Sequence, residues 1–146
     1  MQNIFTFNNL EVNLFFYTMT ENEISYQIRG AIFNIYEKLG PGLLESAYET
    51  TLIYELKKRG LQVESQVPIP IIYEEIKLES VFRLDLLINK KVVIEIKSVE
   101  KLSPLHHKQL LTYLKLTGYK LGILVNFNSD EIFKNIIRKV NNLNQD

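Results

Sequence analysis

Residues 83–98 read RLDLLINKKVVIEIKS. Most of the stretch is Val, Ile and Leu, the material of buried strands. It nevertheless carries Asp85, Glu95 and Lys97, and charged side chains are costly to bury unless paired or bound to a metal. Side chains alternate between the faces of a strand. In the first half, the even positions Phe82, Leu84, Leu86 and Ile88 are apolar, and the odd ones include Arg83 and Asp85. In the second half, Val92, Ile94 and Ile96 are apolar, and the odd positions include Glu95 and Lys97. Each strand therefore reads as one apolar and one charged face, and the apolar faces must share a side of the sheet. A two-residue turn at Asn89-Lys90 would set Asp85 and Glu95 on opposite faces. A three-residue loop, Asn89-Lys90-Lys91, or a bulge sets them across from each other. An odd-length connection is therefore predicted. Directly opposed residues have Cβ atoms about 4.5–5.5 Å apart, and two carboxylates that close repel unless a proton or cation lies between them. Two carboxylates with water and a backbone carbonyl suit Mg²⁺, and a Lys beside them can stabilise charge near a phosphate. The plainer reading is an amphipathic hairpin with a wet polar face, Lys97 neutralising its neighbours.

The rest of the chain supplies the frame. Its 146 residues suggest one domain, and 46% hydrophobic content is enough for a core. There is no Cys, which excludes disulfides and thiolate metal sites and fits a reducing cytoplasm. The formal net charge is zero, so binding to a polyanion must come from a local patch or a bound cation. No segment reaches the roughly 20 apolar residues that span a membrane. Residues 1–19 read as a loosely held extension, and patterning begins right after Met19, itself an equal candidate for the true start. Residues 20–142 read as a single domain.

Thr20 and Glu23 form a capping box, and Ile24, Ile28, Ile32, Ile35 and Leu39 follow at helical spacing. Gly40-Pro41 ends that helix. A second helix is predicted over about Leu43–Arg59, stopped by Gly60. Residues 61–75 look extended, at an edge or a bend because of Pro68 and Pro70. After the two strands comes a helix with Ser103 as N-cap, Pro104 at N1 and Gly118 past its end. Residues 119–127 read as a central strand and 129–140 as a closing helix capped by Ser129. The order α-α-β-β-β-α-β-α describes an α/β sandwich with a mixed sheet.

Gln109 and Tyr113 stand four apart on one helix face, with His106 on the same side. Taken alone they read as amphipathic surface residues. His106 and His107 point apart, which argues against a metal pair and for solvated or phosphate-facing roles. Glu45 falls in the first turn of its helix, where the dipole favours a carboxylate.

The segment GLLESAY (Gly42–Tyr48) resembles the signature of the GxxExxY family. RLD, EIK and QLLTY, in that order, resemble the core of the PD-(D/E)XK nuclease superfamily, QLLTY fitting the QxxxY motif of its exonuclease branch. Leu84 stands where the superfamily name has Pro. The resemblance spans about residues 22–141 and implies a restriction-endonuclease-like core, a mixed central sheet flanked by helices. It further implies that Asp85 and Glu95, with the backbone carbonyl of Ile96, hold Mg²⁺ or Mn²⁺. Lys97 would orient or activate the attacking water, and Glu45 would reach the metal directly or through water. Gln109 and Tyr113 would brace the site or touch the phosphate backbone. The implied reaction is hydrolysis of a phosphodiester in nucleic acid, DNA by preference. The alternative is a non-catalytic module on the same fold that binds nucleic acid or protein, favoured by the neutral charge. A homodimer fits either reading. A hydrolase of small phosphate esters ranks last, for want of a nucleotide-binding loop.

Overall fold

Helix α1 (Glu21–Leu39) begins at the expected capping box. The Thr20 N–H donates to the Glu23 carboxylate at 2.8 Å, and the Glu23 N–H donates to the Thr20 hydroxyl at 3.2 Å. The computed structural model describes residues 18–78 and 82–144; most of the expected N-terminal extension lies outside them. Helix α2 (Glu45–Lys58) is shorter than predicted at both ends. Its N-cap, Leu44, offers no side-chain cap, so its entry is fixed from elsewhere, as described below. Gln62 and Asn89 then join the start of strand β1 (Val63–Pro68) to the sheet: each backbone N–H is bonded across, at 3.0 Å between Asn89 N and the Gln62 carbonyl and 2.8 Å between Gln62 N and Asn89 Oδ1.

The extended stretch predicted over 61–75 is broken. Beyond Pro68 the chain leaves the main sheet and forms a separate hairpin, β2 (Ile72–Tyr73) with β3 (Ile76–Lys77). Strands β4 (Arg83–Ile88) and β5 (Val92–Lys97) follow. Then come helix α3 (Pro104–Thr117) and strand β6 (Leu121–Asn126). A 3₁₀ turn (Ile132–Asn135) leads into the last strand, β7 (Ile136–Val140). The main sheet has the order β1-β4-β5-β6-β7. Only β5 and β6 are parallel, with α3 as their crossover; the other pairs are antiparallel.

The closing helix predicted over 129–140 is therefore a turn and an edge strand. Ile132, Ile136, Ile137 and Val140 fit helical spacing, but Ile136, Ile137 and Val140 are β-branched and the outer edge of β6 needs a partner. Pairing that edge satisfies a row of buried backbone groups, which outweighs a local helical pattern. Ser129 still acts as a cap of sorts: its hydroxyl accepts from the Glu131 N–H at 3.0 Å and the Asn135 amide at 2.8 Å.

The hairpin register is the predicted one. Ile88 lies opposite Val92 and Leu86 opposite Ile94, leaving Asn89, Lys90 and Lys91 as an odd-length connection. Asn89 and Lys90 have φ of 49° and 53°, as in the primed turns that match strand twist. The Lys91 N–H closes the turn on the Ile88 carbonyl at 2.9 Å.

The central strands β4, β5 and β6 are buried on both faces of the sheet for most of their length. Helices α1 and α2 cover one, where Ile24, Ile28, Ile32 and Leu52 meet Leu86, Ile88, Ile94, Ile123 and Val125. Helix α3 covers the other, where Leu110, Tyr113 and Leu114 meet Leu87, Val93 and Leu124. The expected single charged face is thus charged only at one end. Nor do the even positions of β4 all share a side: Leu86 and Ile88 face α1 and α2, whereas Leu84 and Phe82 pack with α3. The neighbouring β1 makes the same switch, Val63 packing with the first cluster and Val67 with the second. Between them stands Gln66, whose φ of 52° is rare for a residue with a side chain. Both strands change face at the level of Asp85.

Candidate active site

That change of face opens the β4–β5 ladder. Its regular pairs stop at Leu86–Ile94, and the next two residues exchange side-chain bonds in place of backbone ones. The Asp85 N–H donates to Glu95 Oε1 at 3.1 Å, and the Ile96 N–H donates to Asp85 Oδ2 at 2.8 Å. The carboxyl groups of Asp85 and Glu95 are also within hydrogen-bonding reach of each other. Because the N–H and C=O of one strand residue point to the same edge, the Ile96 carbonyl is aimed toward Asp85 as well.

The electrostatics follow from this crowding. Burial pushes the Glu95 carboxyl up to about 8, helped by the charge of Asp85 and opposed by the Asp85 N–H and by Lys97. Burial also raises Asp85. The Ile96 N–H and Lys97 work against that rise, while Glu49 and Glu45 add to it. Lys97 therefore acts on both carboxyls through its charge, although it forms no ion pair within 4.0 Å among the described residues.

Glu45 and Glu49 arrive on the first turns of α2, four residues apart. The placement of that helix explains the Gly-x-x-Glu-x-x-Tyr spacing. Gly42 has φ of 100°, a conformation that costs a residue with a side chain dearly. Tyr48 is fully buried and stacks on Phe127, with ring centroids 4.3 Å apart. Its hydroxyl donates to the Gly40 carbonyl at 2.6 Å and accepts from the Leu43 N–H at 3.2 Å. The tyrosine thus pins the entry loop of α2, supplying what the missing N-cap does not. Glu45 then meets the end of β5: its Oε1 accepts from the Ser98 N–H at 3.4 Å.

From the other face α3 brings Gln109 and Tyr113. They are joined, Gln109 Nε2 donating to the Tyr113 hydroxyl at 2.8 Å. Tyr113 is 7% exposed, a buried wall of the site and not the surface residue its spacing alone suggests. Burial and the charges of Glu95 and Asp85 raise its phenol, while the Gln109 bond lowers it. His106 is not at the site. It is the N3 member of the α3 cap, its Nδ1 accepting from the Ser103 N–H at 3.1 Å. His107 points elsewhere, held below the ordinary histidine range by burial and by Lys139 and His106.

The sequence reading missed four residues here. Glu49, besides its field on Asp85, accepts from Gln66 Nε2 at 3.0 Å. Arg83 Nη1 donates to the Gln66 carbonyl at 3.1 Å, so both ends of the strained residue are held. Asn126, fully buried at the end of β6, exchanges two bonds with the Val99 backbone, at 3.0 and 2.9 Å, and so fixes the chain after Lys97. Only Glu49 had a signal in the sequence, its four-residue distance from Glu45.

Residues 22–140 match the family model of the PD-(D/E)XK nuclease superfamily. The chain belongs to the PD-(D/E)XK nuclease superfamily. No curated protein and no solved structure matches it. PD-(D/E)XK nucleases generally use divalent metals such as Mg²⁺, and the donor set here fits one. Two crowded carboxyls held from ionising freely and a carbonyl on the same edge are hard oxygen donors. Among the described residues no three His, Cys, Asp or Glu side chains converge into a cage. Among the described residues no helix is long and apolar enough to cross a membrane.

Proposed function

We propose that this chain is a metal-dependent nuclease of the GxxExxY group that hydrolyses phosphodiester bonds in DNA. The observation that carries the reading is the Asp85–Glu95 pair at the opening of the β4–β5 ladder, a half-buried and a buried carboxyl crowded together with Lys97 beside them. Such a pair is unfavourable without a proton or a cation. Asp85, Glu95 and the Ile96 carbonyl would hold Mg²⁺ or Mn²⁺, with Glu45 reaching it through water. When bound, the metal supplies Lewis acidity and an activated water. Lys97 places positive charge where the phosphate accumulates negative charge and orients the water for attack. Gln109 donates to the Tyr113 oxygen, which leaves the phenol proton free for a phosphate oxygen.

The zero net charge favours a second reading, a binding module without catalysis. Calorimetric titration of Mg²⁺ and Mn²⁺ separates the two. The nuclease reading expects saturable binding that Glu95→Gln removes. Absence of metal binding in the wild type, or binding unchanged in Glu95→Gln, contradicts it.

A further inference from the structure

Behind the catalytic wall lies an apolar groove of about 350 Å³. Ile71, Phe82, Leu105 and Leu116 form its body, and Gln109 and Tyr113 form the side it shares with the candidate active site. Leu105 is 71% exposed and Leu116 47%, unusual for leucines beside a charged site. The aromatic ring of Phe82 tilts against Tyr113 with centroids 6.2 Å apart. The charge on the lining is that of Lys108, exposed on α3.

We propose that this groove is a base subsite, and that the substrate is therefore an unpaired strand: single-stranded DNA or the frayed end of a duplex. The inference rests on the nuclease reading and extends it to substrate class. A phosphodiester at Asp85 and Glu95 has a nucleotide on either side, and the groove adjoins that position across Tyr113, which lines the groove and feels the charges of both carboxyls. Its apolar and aromatic lining suits the flat face of a base, and Lys108 meets the strand's phosphate charge. A base still stacked and paired inside a duplex cannot enter it; the nucleotide must be unstacked or already single. The β2–β3 hairpin, which begins at the residue after Ile71, exposes Ile72, Tyr73 and Ile76, a surface of the kind on which a further base stacks.

The test is equilibrium binding of fluorescent DNA oligonucleotides, single-stranded and blunt duplex, in EDTA so that nothing is cut. Leu105→Ser with Leu116→Ser alters two exposed residues without adding charge and leaves the carboxylates in place; Lys108→Ala probes the charge alone. The expected result is preference of the wild type for the single strand. The leucine pair should weaken single-strand binding roughly tenfold or more, since base stacking is lost, with little effect on the duplex. Equal affinity for both substrates, no binding to either, or a leucine pair that binds the single strand like the wild type overturns the proposal. Circular dichroism of the variant excludes misfolding. Single-strand binding through the groove with no cleavage on adding Mn²⁺ keeps the subsite and rejects the nuclease, so the two failures are distinguishable.

Discussion

Replacing Glu95 by Gln should stabilise the metal-free protein at pH 8 and leave it nearly unchanged at pH 5. Glu95 sits at about 8 in the folded chain against an ordinary 4.5. Between those values the folded state keeps a proton that the unfolded state has released. Stability falls with rising pH wherever the native state binds more protons. The contribution is complete below 4.5, declines through the window and is lost above about 8. One pKa unit is worth about 1.4 kcal/mol, so the ceiling for this shift is roughly 5 kcal/mol. Asp85, raised by the same burial, pushes in the same direction, and the pair titrates as a unit. Gln keeps the shape of a protonated Glu and cannot ionise. Urea unfolding in EDTA from pH 5 to 8.5 should show a wild-type slope to which Glu95 alone contributes up to about −1.4 kcal/mol per unit. The variant should gain about 2–5 kcal/mol on the wild type by pH 8. His107, held low, contributes the opposite slope below its ordinary 6.5. Glu55, whose burial is outweighed by Asn34, Arg59 and Lys58, contributes stability lost only as pH falls below 4.5. Both cancel in the difference between the two proteins. Parallel curves across the range would refute the reasoning, since Glu95 would then ionise as freely folded as unfolded.

Other substitutions test the frame around the site. Tyr48→Phe keeps the stack on Phe127 but removes the bonds to Gly40 and Leu43; urea unfolding should find a loss of about 0.5–1.5 kcal/mol, the net worth of a part-buried hydrogen bond. Gly122→Ala would set its Cβ 2.8 Å from Leu110 Cδ1 in the core under α3; overpacking of this kind costs about 1–3 kcal/mol, read as a lower unfolding midpoint. Lys97→Met should leave metal affinity by calorimetry within a few-fold of the wild type, because the ammonium makes no metal contact in this account.

The sequence carried the site further than it carried the sheet. Parity along residues 83–98, joined to the need for a shared apolar side, was enough to require an odd-length turn, and Ile88 does lie opposite Val92. The same parity failed at Leu84, because the change of face depends on Gln66, a neighbour across the sheet that no local pattern couples to Asp85. The last strand was illegible for a similar reason: Ile136 and Ile137 suit either structure until the open edge of β6 is in view. Tyr113 looked like a surface residue because its burial comes from Phe82 and the sheet, not from its own helix. The caps of α1 and α3 were legible, since Thr20 and Ser103 act within four residues of themselves; Ser129 was not, because the helix it was expected to cap is a turn and a strand.

The central claim, that Asp85, Glu95 and Lys97 cut phosphodiesters with a divalent metal, is tested most directly by cleavage of labelled DNA. Linear and circular molecules, single- and double-stranded, would be incubated with Mg²⁺, Mn²⁺ or EDTA, beside Lys97→Ala. The account predicts cleavage that needs the metal and drops by about two orders of magnitude or more in the variant, the scale of a lost transition-state charge partner. Cleavage that survives EDTA or is undiminished in Lys97→Ala would contradict it, as would no cleavage of any substrate with either metal.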